Sequence, residues 1–382
     1  MLTVAPELVM WLWGACAAVT VLGSLYALFA AATVGRLRTS ARPAADGPTP
    51  SVTILKPLYG AEPGLLDNLT SFARQDYRGS VQILCGVRDS ADPAVSIVHE
   101  LMRREPGADL RLLANPALHG PNRKVSNLIN MMGSVRGEVI VLADSDIRVG
   151  PDYLTRVIEA LRAPNVGLVS CLYRGLPVAG LWSRLLAMAI DQHFLPSVLV
   201  GLRLGLAKPC FGSTIALRRE TLAQVGGFEA VVDRLADDYA MGSAVRGLGL
   251  EVAIPPMVVT HVCSEASLAA LIAHEFRWAR TIRLVDPKGF AGSVVTHPLP
   301  FALLCLLLQP GRIGGGLLLA SLACRLWLQI KVGRTLGHSA GPLWLGPVRD
   351  LLSFAVFVAS FWPLAVSWRG DRYRVSRDGT LR

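Results

Sequence analysis

The sequence predicts an α/β protein: a mostly parallel sheet with helices on both faces, one apolar helix before it and two or three after it. Three observations carry that expectation. Short apolar runs at 52–55, 81–87, 109–113 and 139–143 alternate with helical stretches, the pattern of strands buried on both faces by crossover helices. Residues 8–34 contain no charged side chain, which is long enough to cross a hydrocarbon core of roughly 30 Å. The apolar excess behind the 52% hydrophobic and 17% charged composition of the 382 residues collects at the two ends of the chain.

In order, 8–34 is too long for a signal peptide and no basic residue precedes it. Arg36, Arg38 and Arg42 follow directly, so the positive-inside rule places the next domain in the cytoplasm. This gives an anchor over 1–36 and a Pro-, Ala- and Gly-rich linker over 37–50. A cytoplasmic domain over 51–292 begins with the strand at 52–55 and a helix at 65–73. A strand at 81–87, a helix at 93–104 and a strand at 109–113 come next, then a helix at 124–133 and the strand at 139–143. The stretch 176–206 is rich in Leu, Val and Ala but broken by Arg184, Asp191, His193, Pro196 and Arg203. Two readings stand for it: a segment lying in the lipid interface, or a buried helix pair. A strand is expected at 211–217, and a turn at Gly226-Gly227-Phe228 before a helix bearing Asp237 and Asp238. Apolar segments near 298–309, 313–330 and 351–367 make the membrane part 293–368, and 369–382 is a basic tail expected on the inside.

The net charge of +10 invites a nucleic-acid reading, but no nucleic-acid motif accompanies it; arginines beside apolar segments suit anionic headgroups instead. Seven cysteines without a CxxC pair read as small buried residues of a reducing compartment.

The chemistry concentrates at strand ends, where ligands of such sheets bind. Asp144 and Asp146, one residue apart after a buried strand, suit a hard divalent cation that keeps positions open for phosphate oxygens. Lys56, Asp89 and Asp92 also fall at or just past strand ends. Asp237 and Asp238 offer a general base, with one of them free to cap the helix instead. Arg277, with Lys124 and Arg280, offers cationic hydrogen bonds to a diphosphate, and Trp278 a stacking platform. This set suits transfer of a sugar from a nucleotide diphosphate to a hydroxyl in a single displacement.

The stretches Ile54-Leu55-Lys56-Pro57-Leu58, Asp89-Ser90-Ala91-Asp92, Asn122-Arg123-Lys124-Val125-Ser126-Asn127-Leu128, Ala143-Asp144-Ser145-Asp146, Ala236-Asp237-Asp238-Tyr239 and Arg277-Trp278, with the tail Ser367-Trp368-Arg369-Gly370-Asp371-Arg372-Tyr373-Arg374, occur in fixed order. Together they resemble the ceramide glucosyltransferase family of membrane-anchored inverting glycosyltransferases over nearly the whole chain, and within it the branch of hopanoid biosynthesis. The resemblance implies a GT-A (Rossmann-like) domain, Mg²⁺ or Mn²⁺, a UDP-sugar donor and a lipid acceptor. It assigns Asp92 to nucleotide binding, Asp144 to the metal and Asp238 to the general base. His274 stands where the family has Gln or Arg, three residues before Arg277-Trp278. N-acetylglucosamine transfer from UDP-N-acetylglucosamine to bacteriohopanetetrol is the expectation. Glucosylation of ceramide or another lipid from UDP-glucose is the rival, and a non-catalytic scaffold or lipid carrier the remote one.

Overall fold

The computed structural model describes residues 6–37, 47, 49–338, 341–362, 366–368, 371–373 and 379–381. Most of the linker and most of the basic tail expected at 369–382 lie outside the described residues.

Along the chain, α1 is Pro6–Val34, then β1 (Val52–Pro57), α2 (Leu65–Ala73), β2 (Val81–Val87), α3 (Ala94–Arg104) and β3 (Asp109–Ala114). Next come α4 (Arg123–Met132), β4 (Val139–Leu142), β5 (Ile147–Arg148), α5 (Tyr153–Arg162), β6 (Val166–Val169) and β7 (Leu172–Pro177). The helical stretch α6 (Leu181–Ala189) passes through a π turn, Ile190–Phe194, into α7 (Leu195–Arg203). Then follow β8 (Ile215–Arg218), α8 (Arg219–Gln224), α9 (Asp237–Gly247), β9 (Glu251–Ala253) and β10 (Val258–Cys263). The chain continues through α10 (Leu268–Val285), α11 (Pro287–Gly292), α12 (Pro298–Leu308), α13 (Arg312–Leu336) and α14 (Gly346–Ala359).

These elements form two compact units. One comprises Thr39–Val178, Lys208–Ser264 and Asp371–Arg382; the other Met1–Arg38, Ala179–Ala207 and Glu265–Gly370. A continuous domain over 51–292 was expected; instead 179–207 and 265–292 belong to the helical unit. The reason is their apolar faces, which pack on its other helices: α1 against α7, and α14 against both α6 and α10.

The first unit carries a seven-stranded sheet in the order β3-β2-β1-β4-β8-β6-β9. Strands β3, β2, β1 and β4 run parallel. β8 runs antiparallel to both β4 and β6, so the sheet is mostly parallel but mixed. β1 is buried at every position, as a strand covered on both faces must be, whereas the edge strand β3 is partly exposed along its length. Leu55, Leu84, Ile140, Leu142 and Leu217 of the sheet pack with Val125, Leu128 and Met131 of α4 and Met241 and Val245 of α9. That packing fixes the starts of α4 and α9, where the functional side chains stand. A smaller sheet, β5-β10-β7, completes the unit.

In the helical unit, Ala27, Ala30, Ala31 and Val34 of α1 meet Val200 of α7 and Leu328 and Val332 of α13, small residues letting the backbones approach closely. Among the described residues three helices are long and apolar enough to cross a membrane: Pro6–Val34, Leu181–Arg203 and Arg312–Leu336. The middle one differs from the sequence reading, which held 176–206 too broken to span. Its Asp191 and Gln192 turn inward and are 1% and 5% exposed, so they do not interrupt its outer face. Of the three C-terminal segments, only α13 qualifies alone. Pro287–Thr296 and Pro298–Leu308 meet at a 59° bend, and α14 has 14 residues, roughly 21 Å at 1.5 Å per residue.

A buried ion pair ties α10 to α14. Arg349, fully buried, donates to Glu275 Oε1 at 2.5 Å and Oε2 at 2.7 Å. Glu275→Ala is expected to destabilise the unit by about 3–5 kcal/mol, because it leaves a guanidinium buried without its counterion. Glu275→Leu combined with Arg349→Met is expected to recover most of that loss. Thermal unfolding in detergent checks both; equal losses in the single and double variants would count against the pair.

Candidate active site

Asp144, Ser145 and Asp146 leave the carboxyl end of β4, and other elements hold their backbone. The Lys56 ammonium donates to the Asp144 carbonyl at 2.5 Å, and Asn68 Nδ2 to the Ser145 carbonyl at 3.1 Å. Val262 N–H of β10 donates to the Asp146 carbonyl at 2.8 Å, and Asp144 N–H donates to the Gly212 carbonyl at 3.1 Å. Four separate segments therefore fix the direction of the two carboxylates before any ligand arrives.

The antiparallel course of β8 explains why Gly212 is there. A strand paired head-to-tail with β4 begins beside the end of β4, which brings residues 210–213 alongside Asp144. Gly212 then joins two parts of the site, since its N–H donates to Asp238 Oδ2 at 3.0 Å. A Cβ at this position would fall 2.4 Å from Asp144 Oδ2 and 3.3 Å from Lys124 Nζ. Gly212→Ala is expected to cut turnover at least about tenfold with little loss of stability, because the carboxylate must move. Wild-type turnover in that variant would show that the carboxylate position is unimportant.

Lys124 stands in the first turn of α4, whose start is capped by Asn122 Oδ1 accepting from Val125 N–H at 3.1 Å. Its ammonium, with the side chain 10% exposed, lies 2.7 Å from Asp144 Oδ1 and 3.2 Å from Asp237 Oδ2. Burial alone would lower its pKa, but Asp144 and Asp237 outweigh that and hold it above the usual lysine range. Asn122 Nδ2 also reaches Asp237 Oδ1 at 3.4 Å. Asp238 accepts from Gly212 N–H through one oxygen and from Tyr239 N–H, at 2.7 Å, through the other. Burial and then repulsion from Asp237 push its pKa up to about 6.

Asp146 Oδ2 lies 3.2 Å from His261 Nε2. Burial opposes protonation of His261, yet Asp146 overrides it and raises that pKa well above the ordinary imidazole value. The Asp144 and Asp146 side chains are 35% and 33% exposed, so both face an opening. Withdrawal from water raises the Asp144 pKa; Lys124 opposes this and Asp146 adds to it. Four carboxylates thus gather around one lysine and one histidine, an excess of negative charge that a cation relieves. Among the described residues no three His, Cys, Asp or Glu side chains converge as a complete metal site. Two partly exposed carboxylates fit a hard cation as an incomplete shell, to be completed by phosphate oxygens and water.

The structure brings Lys124, Asp144, Asp146, Asp237 and Asp238 together. Lys56 is not presented to a ligand: it is fully buried, over the Phe72 ring at 4.0 Å, and supports the Asp144 carbonyl. Burial lowers its pKa to about 8 despite the nearby Asp144 and Asp146. Asp89 closes an Asx turn onto Ala91 N–H at 2.9 Å. Asp92 accepts from Gly60 N–H at 2.9 Å and Ala94 N–H at 2.8 Å, tying the loop after β1 to the start of α3. His274, Arg277, Trp278 and Arg280 all stand on α10, in the helical unit. There His274 Nδ1 lies 2.7 Å from Glu265 Oε1 and its ring meets Trp278 edge-on at 4.4 Å. Arg280 is 7% exposed and donates to the Trp362 carbonyl at 2.9 Å. Gly212 and His261 were not selected from the sequence. Asn122 had a readable signal, an Asn three residues before the apolar Val125.

A mostly parallel sheet with paired carboxylates past one strand, and an acidic pair opening a helix beside them, is the arrangement of a GT-A-type fold, and comparison with known proteins makes the chain a hexose-transferring enzyme of that type. The profile of glycosyl transferase family 21 matches residues 15–381, and the chain belongs to that family. It is 22% identical over 357 residues to ceramide glucosyltransferase 1 of Caenorhabditis elegans, covering 88% of this chain and 74% of that protein. It is 22% identical over 257 residues to an N-acetylglucosaminyltransferase of Rhizobium leguminosarum, covering 64% and 59% respectively. Its fold is shared with a mannosyltransferase from Pyrobaculum calidifontis, solved in complex with GDP-Man and Mn²⁺: TM-score 0.55, 21% identity, 93% of this chain and 99% of that one.

Proposed function

We propose that the protein moves a hexose from a UDP-sugar to a hydroxyl of a membrane lipid, inverting the anomeric centre, at the cytoplasmic face of a bacterial inner membrane. The observation that supports this reading is the link from Asp144 through Gly212 to Asp238, which holds a carboxylate suited to a cation beside one suited to act as a base.

A divalent cation, Mg²⁺ or Mn²⁺, held by Asp144 and Asp146 would supply Lewis-acid neutralisation of the diphosphate leaving group. Lys124 positions Asp144 and Asp237 and adds positive charge on the same side. Asp238 takes the proton of the acceptor hydroxyl as that oxygen attacks the anomeric carbon and the diphosphate departs. The Gly212 and Tyr239 N–H groups keep the Asp238 carboxylate aimed. By resemblance to the family, Arg277 and Trp278 serve the same reaction, and Asp92 the nucleotide.

The sugar and lipid are proposed on narrower grounds. The motif resemblance favours N-acetylglucosamine on bacteriohopanetetrol. The names of the ceramide glucosyltransferase relatives favour glucose on ceramide. The deciding experiment offers membranes containing the protein both UDP-sugars together with both lipids, and identifies the labelled product by mass spectrometry. A glycosylated hopanoid alone, or a glucosylceramide alone, chooses between them; no glycolipid with either acceptor would overturn the lipid reading.

A further inference from the structure

The second half of α10 carries two arginines three residues apart, Arg280 and Arg283, a spacing that puts them on one face of the helix. Arg280 donates from Nη2 to the Trp362 carbonyl at 2.9 Å, just past the end of α14, where a cation suits the helix terminus. That single bond leaves most of the guanidinium unused. The Nε–H groups of Arg280 and Arg283 are both buried, and neither has a hydrogen-bond partner among the described residues. Phenyl rings cover the two groups instead. Phe276 lies 5.9 Å from Cζ of Arg280, and Phe361 lies 5.6 Å from Cζ of Arg283. An aromatic face attracts a cation but leaves the N–H edge of a guanidinium open.

The acidic side chains nearest in sequence are engaged elsewhere. Glu275 is held by Arg349, and Asp286 accepts from Gly289 N–H of α11 at 2.9 Å. Burial, and then the positive charge of Arg283, hold the Arg280 pKa below the usual arginine range. Withdrawing a charge from water is costly when no counterion replaces the water, and a second like charge adds to that cost. An anion bound across the two guanidiniums would remove both penalties.

We propose that Arg280 and Arg283 together bind the phosphate of an anionic membrane lipid. The planar fork of arginine matches phosphate oxygens with paired N–H···O bonds. Place favours a lipid over a soluble phosphate. The same unit contains α1 and α13, both long and apolar enough to cross a membrane. Phe361 and Trp362, 45% and 61% exposed, offer rings of the kind that sit at headgroup level. Basic side chains beside membrane helices draw anionic headgroups. A nucleotide diphosphate carries similar oxygens but no hydrocarbon for those rings. The lipid is a fixed partner of the helical unit, and its site stands whether or not the sugar-transfer reading does.

Isothermal titration of the full chain in maltoside micelles, with no sugar donor present, tests this. The probe is dioctanoyl phosphatidylglycerol, with dioctanoyl phosphatidylcholine as the zwitterionic comparison. One saturable phosphatidylglycerol site per chain is expected, with phosphatidylcholine at least about tenfold weaker. Arg280→Gln and Arg283→Gln should each weaken phosphatidylglycerol binding at least about tenfold, the scale of one lost charged hydrogen bond. Arg283 is the less buried of the two, so its variant decides the matter should Arg280→Gln fail to fold. Arg203→Gln removes the same charge from an exposed position on α7 and should bind as wild type does. Neither inorganic phosphate nor UDP with Mn²⁺ should displace the lipid. Absence of a saturable site, equal affinity for the two lipids, or unchanged affinity in Arg283→Gln would each overturn the proposal. Displacement by UDP would assign the two arginines to the nucleotide, and displacement by phosphate alone to a soluble anion. Asp238→Asn should bind the probe normally, so a failure of the catalytic reading leaves this result untouched.

Discussion

Replacing Asp238 with Asn is expected to lower kcat by about 10²–10⁴-fold, the usual contribution of a positioned general base. Asparagine keeps the shape of the side chain and an oxygen to accept from Gly212 or Tyr239, so folding and UDP binding should stay near normal. The pH profile of the wild type adds a second readout. Because the folded-state pKa of Asp238 is raised to about 6, the base is protonated and idle below that value. Turnover should rise about tenfold per pH unit up to pH 6 and flatten above it. A full-rate Asp238→Asn variant would remove this residue as the base, and Asp237 would take its place.

Replacing Asp144 with Asn is expected to weaken UDP binding on the order of 100-fold in Mn²⁺ and hardly at all in EDTA. The asymmetry separates two roles of the carboxylate. Its contact with Lys124 at 2.7 Å is structural and largely survives in the amide, whose oxygen still accepts. Its charge is what a divalent cation needs, and that is lost. Isothermal titration of UDP under the two conditions measures the difference directly. Equal weakening in both would show that Asp144 acts on the nucleotide without a cation.

Much of this was legible in the chain, for reasons that differ by element. β1, β2 and β4 announce themselves because continuous burial demands unbroken apolar runs, and ligand residues of parallel sheets fall past such runs. Asp144, Asp146, Asp237 and Asp238 could therefore be chosen from position and residue type. Gly212 could not, because its place follows from the antiparallel pairing of β8 with β4, a long-range choice that no local pattern encodes. His261 was hidden for the same reason: it meets Asp146 only through the register of β10 against β5, where it lies opposite Ile147. Lys56 differs in the other direction. Its place at a strand end put it among the candidate ligand residues, whereas full burial turns its ammonium onto the Asp144 carbonyl. The helical stretch at 181–203 was obscured by its polar residues, of which Asp191 and Gln192 turn out to face inward while Arg184 and Arg203 stay exposed.

The most direct measurement is the configuration of the new glycosidic bond, read by proton NMR on the purified product. A single displacement assisted by Asp238 inverts the anomeric centre, so an α-linked UDP-sugar should give only the β-glycoside. An α-glycoside would contradict the account, because retention requires a route that a single attack from the Asp238 side does not provide.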